Sequence, residues 1–290
     1  MKTTIIGLGL IGGSMAIDLR KQGFATSIAG VDTNESNAKK AVELGLIDQA
    51  LPLNEALRDA ELVLIAIPVN ALKNVLQQIL DEVSPSAVVI DAGSTKSGVC
   101  KFISAHNKRN QFVAAHPIAG TENSGPEAAF SGLFHNKTNI ICEKEKSSAQ
   151  ALNTAEAVFT ALGMRTIFMD AVEHDKHVAY VSHLSHVSSF LLGQTVLDIE
   201  KDEKNIFNLA GSGFASTVRL AKSSPDMWAP IFEQNAEFLS QALLEYIMHL
   251  QQFQYYLMKR DTKELHRIMT KANHIREVLA GIEMKQVKPV

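Results

Sequence analysis

The stretch "TTIIGLGLIGGSMAIDL", residues 3–19, decides how the rest of the chain is read. Thr3, Thr4, Ile5 and Ile6 are β-branched, as suits a strand. They run into Gly7-x-Gly9-x-x-Gly12, then Gly13 and an apolar stretch of helical spacing. In such a strand–turn–helix unit Gly7 allows the tight turn, Gly9 lets the backbone approach a pyrophosphate, and Gly12 lets helix pack on strand. The helix N-terminus then faces the phosphates. Alone, a GxGxxG is a weak signal. Here it follows a strand, opens a helix, and has Asp32 twenty residues beyond Gly12, at the end of the next apolar run "SIAGVD". The Asp32 carboxylate can accept hydrogen bonds from ribose hydroxyls and would repel a 2′-phosphate; neither Thr33 nor Asn34 is an Arg that would hold one. The motif therefore predicts an NAD site rather than an NADP site, built on Gly7, Gly9, Leu10, Ile11, Gly12 and Asp32.

Outward from that turn, residues 3–170 alternate apolar runs with helical stretches. "ELVLIAIP" and "AVVIDAG" read as buried strands, with a helix from about Asn70 between them; "FVAAHP", "NIICE" and "RTIFM" follow, the last two flanking a helix at about 148–162. This is the pattern of a doubly wound parallel sheet. From Ala171 the strand signals stop. Residues 172–200, 204–222, 228–259 and 261–281 have helical spacing, with Gly211, Gly213 and Pro225 marking bends. The predicted architecture is an α/β Rossmann-type N-terminal domain over 1–170, followed by an all-α dimerisation domain over 171–285. Long apolar helices of this kind commonly pack against a second copy, so a homodimer is expected.

Composition narrows the partners. At 290 residues, 46% hydrophobic and 20% charged with net charge −3, the chain has no feature that invites nucleic acid or an anionic membrane. Cys100 and Cys142 form neither a disulfide framework nor a CxxC metal site, which suits a reducing cytoplasm. The opening glycines, and Asp18 and Arg20 beyond them, argue against a signal peptide.

Ligands of open parallel sheets bind outside the carboxyl ends of the strands, so the residues there are the candidates for chemistry. Pro68, in "IAIPVN", is a shaping residue beside the expected adenosine half. "DAGSTKSG" offers Asp91, Gly93, Ser94 and Lys96 to a nicotinamide. "VAAHPIAGTENSG", residues 113–125, ends a strand on His116. An imidazole titrates near ~6.5 and can take a hydroxyl proton as hydride leaves, though a His at this point can also be purely structural. In the helical half, His174/His177 and His183/His186 have HxxH spacing, but His177 and His183 lie on different helix faces and no Cys or carboxylate cluster completes a metal shell. Ser182 and His186 are i,i+4 and share a face. Arg219 alone reads more readily as a surface charge than as an anion clamp.

"GLGLIGGS", "DAGSTKSG", "HPIAGTENSG", "HDKHVAYVSHLSH" and "GSGFASTVRLAKSSPDMW", in this order across residues 7–228, resemble the prephenate/arogenate dehydrogenase family of tyrosine biosynthesis. The resemblance implies an active site in the cleft between a Rossmann domain and a helical dimerisation domain. It implies that His116 hydrogen-bonds the ring C4 hydroxyl as catalytic base, that Ser94 orients both, and that Ser182, His186, Arg219, Glu122 and Thr121 line the substrate site, Arg219 gripping a carboxylate. The acidic residue that relatives carry at position 216 is Ser216 here, which leaves Glu122 as the partner for Arg219. His186, taken as a donor to a keto or carboxylate oxygen, favours prephenate over arogenate. The chain ends at Val290 without room for an appended regulatory domain, so inhibition by tyrosine would have to act through the active site or the dimer. Two other readings stay open: another β-hydroxyacid-type dehydrogenase, with Lys176 as base, and a silent NAD-binding regulator.

Overall fold

In the computed structural model, which describes residues 1–202 and 205–287, the glycine turn forms as its spacing predicts. Strand β1 (Lys2–Ile6) ends at Gly7 and helix α1 (Leu10–Lys21) opens just after Gly9. Gly7 has φ +92°, and a Cβ there would fall 2.3 Å from the Ala66 carbonyl oxygen. A Cβ on Gly12 would fall 2.0 Å from the Gly7 carbonyl oxygen, so helix and strand meet at a distance only glycine permits.

The chain continues through β2 (Ser27–Val31), α2 (Glu35–Glu43), β3 (Gln49–Ala50), α3 (Leu53–Leu57), β4 (Leu62–Ile65), α4 (Val69–Glu82), β5 (Val88–Asp91), α5 (Ser97–Ile103), β6 (Phe112–Pro117), β7 (Thr138–Cys142), α6 (Ala149–Ala161) and β8 (Arg165–Met169). Among the described residues these strands form one sheet of order β3-β2-β1-β4-β5-β6-β7-β8. The first six strands are parallel, but β7 runs antiparallel to β6 and β8 follows β7. The expected parallel sheet thus runs through β6, and the last two strands, whose direction the apolar pattern leaves open, run against it. The physical reason is the connection: a parallel return requires a covering crossover, usually a helix, and residues 118–137 hold only a short 3₁₀ turn, Pro126–Ala128.

Both faces of the sheet are covered, which is why β4 is apolar at every position and β5 is apolar up to Asp91. Alternate residues go to opposite sides: Leu62, Leu64, Val88, Ile90, Val113 and Ala115 pack in one core with α1 and α6, whereas Val63, Ile65, Val89, Phe112 and Ala114 pack in the other with α4 and α5. By the same alternation His116 belongs to the side of Phe112 and Ala114. Ala171, the first residue of the next helix, packs in that second core too.

The helical stretch begins with α7 (Ala171–Val178), a π-helical turn over Ala179–His183, and α8 (Leu184–Asp202), followed by α9 (Ser212–Thr217) and α10 (Pro225–Gln234). Lys204, where sequence spacing starts its second helical stretch, lies outside the described residues. The expected continuous helix 228–259 is interrupted at Asn235, where α10 ends and α11 (Ala236–Met258) begins. The last two helices are α12 (Thr262–Ala272) and α13 (Ile275–Val287). The compact division of the chain falls after Asn235, so residues 171–235 form one body with the sheet. Among the described residues no helix is long and apolar enough to cross a membrane.

Candidate active site

Strand β6 presents His116 at the carboxyl edge of the sheet, as its penultimate residue and paired with Ile140 of β7. It is thus a ladder residue and not part of the loop. Its Nδ1 lies 2.8 Å from Nε2 of His174, and His174 Nδ1 lies 2.8 Å from Asp175 Oδ1. The two imidazoles meet edge to face, centroids 5.0 Å apart. His174 is fully buried, His116 half-buried. Burial, then the neighbouring charges of His174, Lys96 and His183, hold His116 well below the usual histidine range, so it is uncharged at neutral pH.

Asp175 joins two segments. Its carboxylate accepts the backbone N–H groups of Lys96 and Ser97, both at 2.8 Å, at the start of α5. Burial acts to raise it, but the hydrogen bonds from His174, Lys96 and Ser97 hold it below the ordinary carboxylate range. Its carbonyl accepts from Asn235 Nδ2 at 2.7 Å, and the same amide donates to His183 Nδ1 at 3.0 Å. Burial pushes His183 down to about 4. Asn235 sits at the break between α10 and α11 because its amide is used here. Thr95 Oγ1, donating to Gln234 Oε1 at 2.7 Å, ties the same loop to α10.

Asp91 and Lys96 do not offer themselves to a ligand, as the strand-end reading expected. Both side chains are fully buried and Lys96 Nζ is paired with Asp91 Oδ2. Burial raises the Asp91 carboxyl, opposed by the Lys96 ammonium and the Gly93 N–H. Ser94 stands between them in sequence, half-buried, its hydroxyl without a hydrogen-bond partner among the described residues.

The four histidines of the HxxH pairs separate. His174 and His183 are buried, His177 is exposed beside Glu173, and His186 is half-buried with its ring stacked on Trp228, centroids 3.5 Å apart. His186 Nδ1 donates to the Ser182 carbonyl at 3.0 Å. A carbonyl only accepts, so on the neutral ring the free Nε2 is an acceptor. The donor role expected of His186 requires a protonated ring, and burial lowers its pKa. Arg219 Nη1 pairs with Glu122 Oε2 at 3.3 Å, the pairing expected once residue 216 is not acidic. The N–H of Glu122 itself, together with Arg219, holds that carboxyl below its usual range. Thr121 Oγ1 accepts from the Asn123 N–H at 3.2 Å.

The glycine turn fits a dinucleotide. A Cβ on Gly9 would meet only the Gly125 nitrogen, at 4.0 Å, so the fold itself does not demand glycine there; space is left in front of an N-terminus that no side chain caps. The Leu10 side chain is buried, so Leu10 and Ile11 reach this space through their backbone N–H groups. Half-buried Asp32 accepts from Leu8 N–H and Asn34 N–H, each at 2.9 Å, and retains lone pairs for ribose hydroxyls. Pro68 is the exposed N-cap of α4.

His174, Asp175 and Asn235 carry no role in the sequence reading. The "EHD" triplet just after β8 is the signal that marks the first two, and HxxH spacing reads there only as an incomplete metal pattern.

A glycine-turn sheet followed by helices, with a buried imidazole where the two meet, defines the architecture of a nucleotide-dependent dehydrogenase. Two family models match the chain: the prephenate dehydrogenase nucleotide-binding domain over residues 15–168 and the prephenate dehydrogenase dimerization domain over residues 170–271. The chain belongs to the prephenate dehydrogenase family. It is 30% identical to a prephenate dehydrogenase of Bacillus subtilis, over 99% of this chain and 78% of that one, and 31% identical to a cyclohexadienyl dehydrogenase of Zymomonas mobilis, over 89% and 88%. A prephenate dehydrogenase from Aquifex aeolicus, solved with hydroxyphenyl propionate and NAD+, superposes with TM-score 0.88 at 30% identity, covering 96% of this chain and 98% of that one. The arogenate dehydrogenase of Synechocystis superposes with TM-score 0.76 at 30% identity, covering 96% and 100%.

Proposed function

We propose that the protein catalyses the NAD-dependent oxidative decarboxylation of prephenate to 4-hydroxyphenylpyruvate. The observation that carries this reading is an uncharged His116 at the carboxyl edge of the same sheet whose first turn leaves space at Gly9. The named relatives support the substrate class. When bound, NAD+ supplies the acceptor for the hydride that leaves ring carbon C4. His116 takes the C4 hydroxyl proton as the carbon is oxidised, and Ser94 Oγ orients that hydroxyl. The ring ketone so formed is conjugated to the carbon bearing the carboxylate; that C–C bond breaks, CO2 leaves, and its electron pair flows into the ring. His116 returns the proton to the phenol oxygen. Arg219, with Ser182, His186, Thr121 and Glu122 around it, anchors the dianion.

A second reading has its own support. The Nε2 of neutral His186 is an acceptor, which suits the ammonium of arogenate better than the keto group of prephenate. Initial rates with NAD+, with prephenate and arogenate offered separately, test both: turnover of prephenate supports the first, turnover of arogenate alone the second, and turnover of neither overturns both.

Asp32→Ala is expected to lower kcat/KM for NAD+ by about 10- to 100-fold, the loss of a charge-assisted hydrogen bond or two, while use of NADP+ does not fall. Rates with both cofactors check it. The protein is further proposed to be a homodimer, since α11 exposes Leu244, Ile247, Met248, Leu250 and Leu257. Sedimentation of a single monomeric species at micromolar concentration would contradict this.

A further inference from the structure

We infer that His174 and Asp175 are positioning residues for His116, forming a relay that fixes its tautomer and steadies the charge it acquires. The inference rests on the reading of His116 as base. Asp175 is an ionised carboxylate that already accepts two backbone N–H groups, so the contact at 2.8 Å requires His174 Nδ1 to donate. The neutral His174 ring then has a lone pair on Nε2, and the contact at 2.8 Å requires His116 Nδ1 to donate to it. A neutral His116 carries one proton, so its Nε2 is left bare. That is the atom a general base must present, and only one of the two tautomers presents it.

The same chain responds when Nε2 takes a proton. Positive charge on His116 strengthens the Nδ1–H hydrogen bond to His174, whose own bond to Asp175 polarises in the same sense. Other titratable groups acting on the pair are Lys96 and Asp91 from the β5–α5 side and His183 from the π turn. Lys96 and Asp91 are paired with each other, and His183 takes its hydrogen bond from Asn235. Asp175 is thus the carboxylate that the imidazole chain reaches. The logic is that of a base oriented by a second residue and that residue by a third.

The test begins on the wild-type protein without ligand, so it does not depend on which cyclohexadienol is oxidised. With ¹⁵N-labelled histidine, and His116→Asn to identify its signals, NMR at neutral pH is expected to show His116 protonated at Nδ1 and bare at Nε2; the opposite tautomer overturns the relay. Kinetics follow on two variants. His174→Phe, which fills the space but accepts nothing, is expected to lower kcat at least about tenfold, with KM for NAD+ and substrate within about threefold. His174→Gln, whose Oε1 can accept from His116 Nδ1, is expected to recover most of the rate. Wild-type kcat in His174→Phe, or equal losses in both variants, overturns it.

Discussion

His116→Asn is expected to lower kcat by at least about 10²-fold while NAD+ affinity, read by direct binding, stays within about threefold. Asn matches the outline of the ring near Cβ and can still hydrogen-bond a hydroxyl, but it cannot accept a proton. The glycine turn and Asp32, proposed to hold the cofactor, are untouched. An unchanged rate would remove His116 from the mechanism. The wild-type pH profile carries the companion result. A general base works neutral, and the pKa of His116 is lowered by burial first and by neighbouring charge second. Activity is therefore retained through and below pH ~6.5, the ordinary histidine value, and lost only as pH falls through the depressed one. An acid limb above that value would contradict a buried neutral base.

Lys96→Met is expected to destabilise the fold by about 3–5 kcal/mol, because it leaves the Asp91 carboxylate fully buried without its counter-ion. The sign of the pH dependence follows. Without Lys96 the folded-state pKa of Asp91 rises far above its unfolded value, so the deficit is full at neutral pH and shrinks as pH falls and Asp91 protonates. Lys96→Met with Asp91→Asn removes both charges while keeping an acceptor for the Gly93 N–H, which Asp91 holds at 3.0 Å. It is expected to regain most of the loss in urea denaturation. A single variant as stable as the wild type would show that the pair contributes nothing net.

What the sequence disclosed and what it withheld follow from the range of the forces involved. The glycine turn is a local steric matter, and Gly7 and Gly12 are where a Cβ would collide with backbone. The buried strands are legible because burial on both faces requires unbroken apolar runs. Their direction is not, since "NIICE" satisfies that requirement pointing either way; β3, two residues long, has no pattern to detect. The break at Asn235 is a tertiary effect, made by Asp175 and His183, more than fifty residues earlier. The site divides similarly. His116, Ser94 and Asp32 stand at strand ends, where topology alone marks them. The partnership of His116 with His174 needs β6 and α7 to pack on one side of the sheet, and i,i+3 spacing does not report that. The direction of the His186 hydrogen bond is visible only once its partner is known to be a carbonyl.

The reversal at β7 has a thermodynamic meaning of its own. Because β7 runs antiparallel to β6, the ladder extends beyond the reach of β5, pairing His116 with Ile140 and Pro117 with Asn139 after the β5 pairing stops at Ala114. Fixing one residue's backbone costs about 1–2 kcal/mol of conformational entropy. For His116 that cost falls on folding, where a whole sheet shares it, and not on the encounter with substrate. Binding energy from the substrate's two carboxylates is then free to be used elsewhere, and the loop that follows can change in length or composition without disturbing the backbone that carries His116.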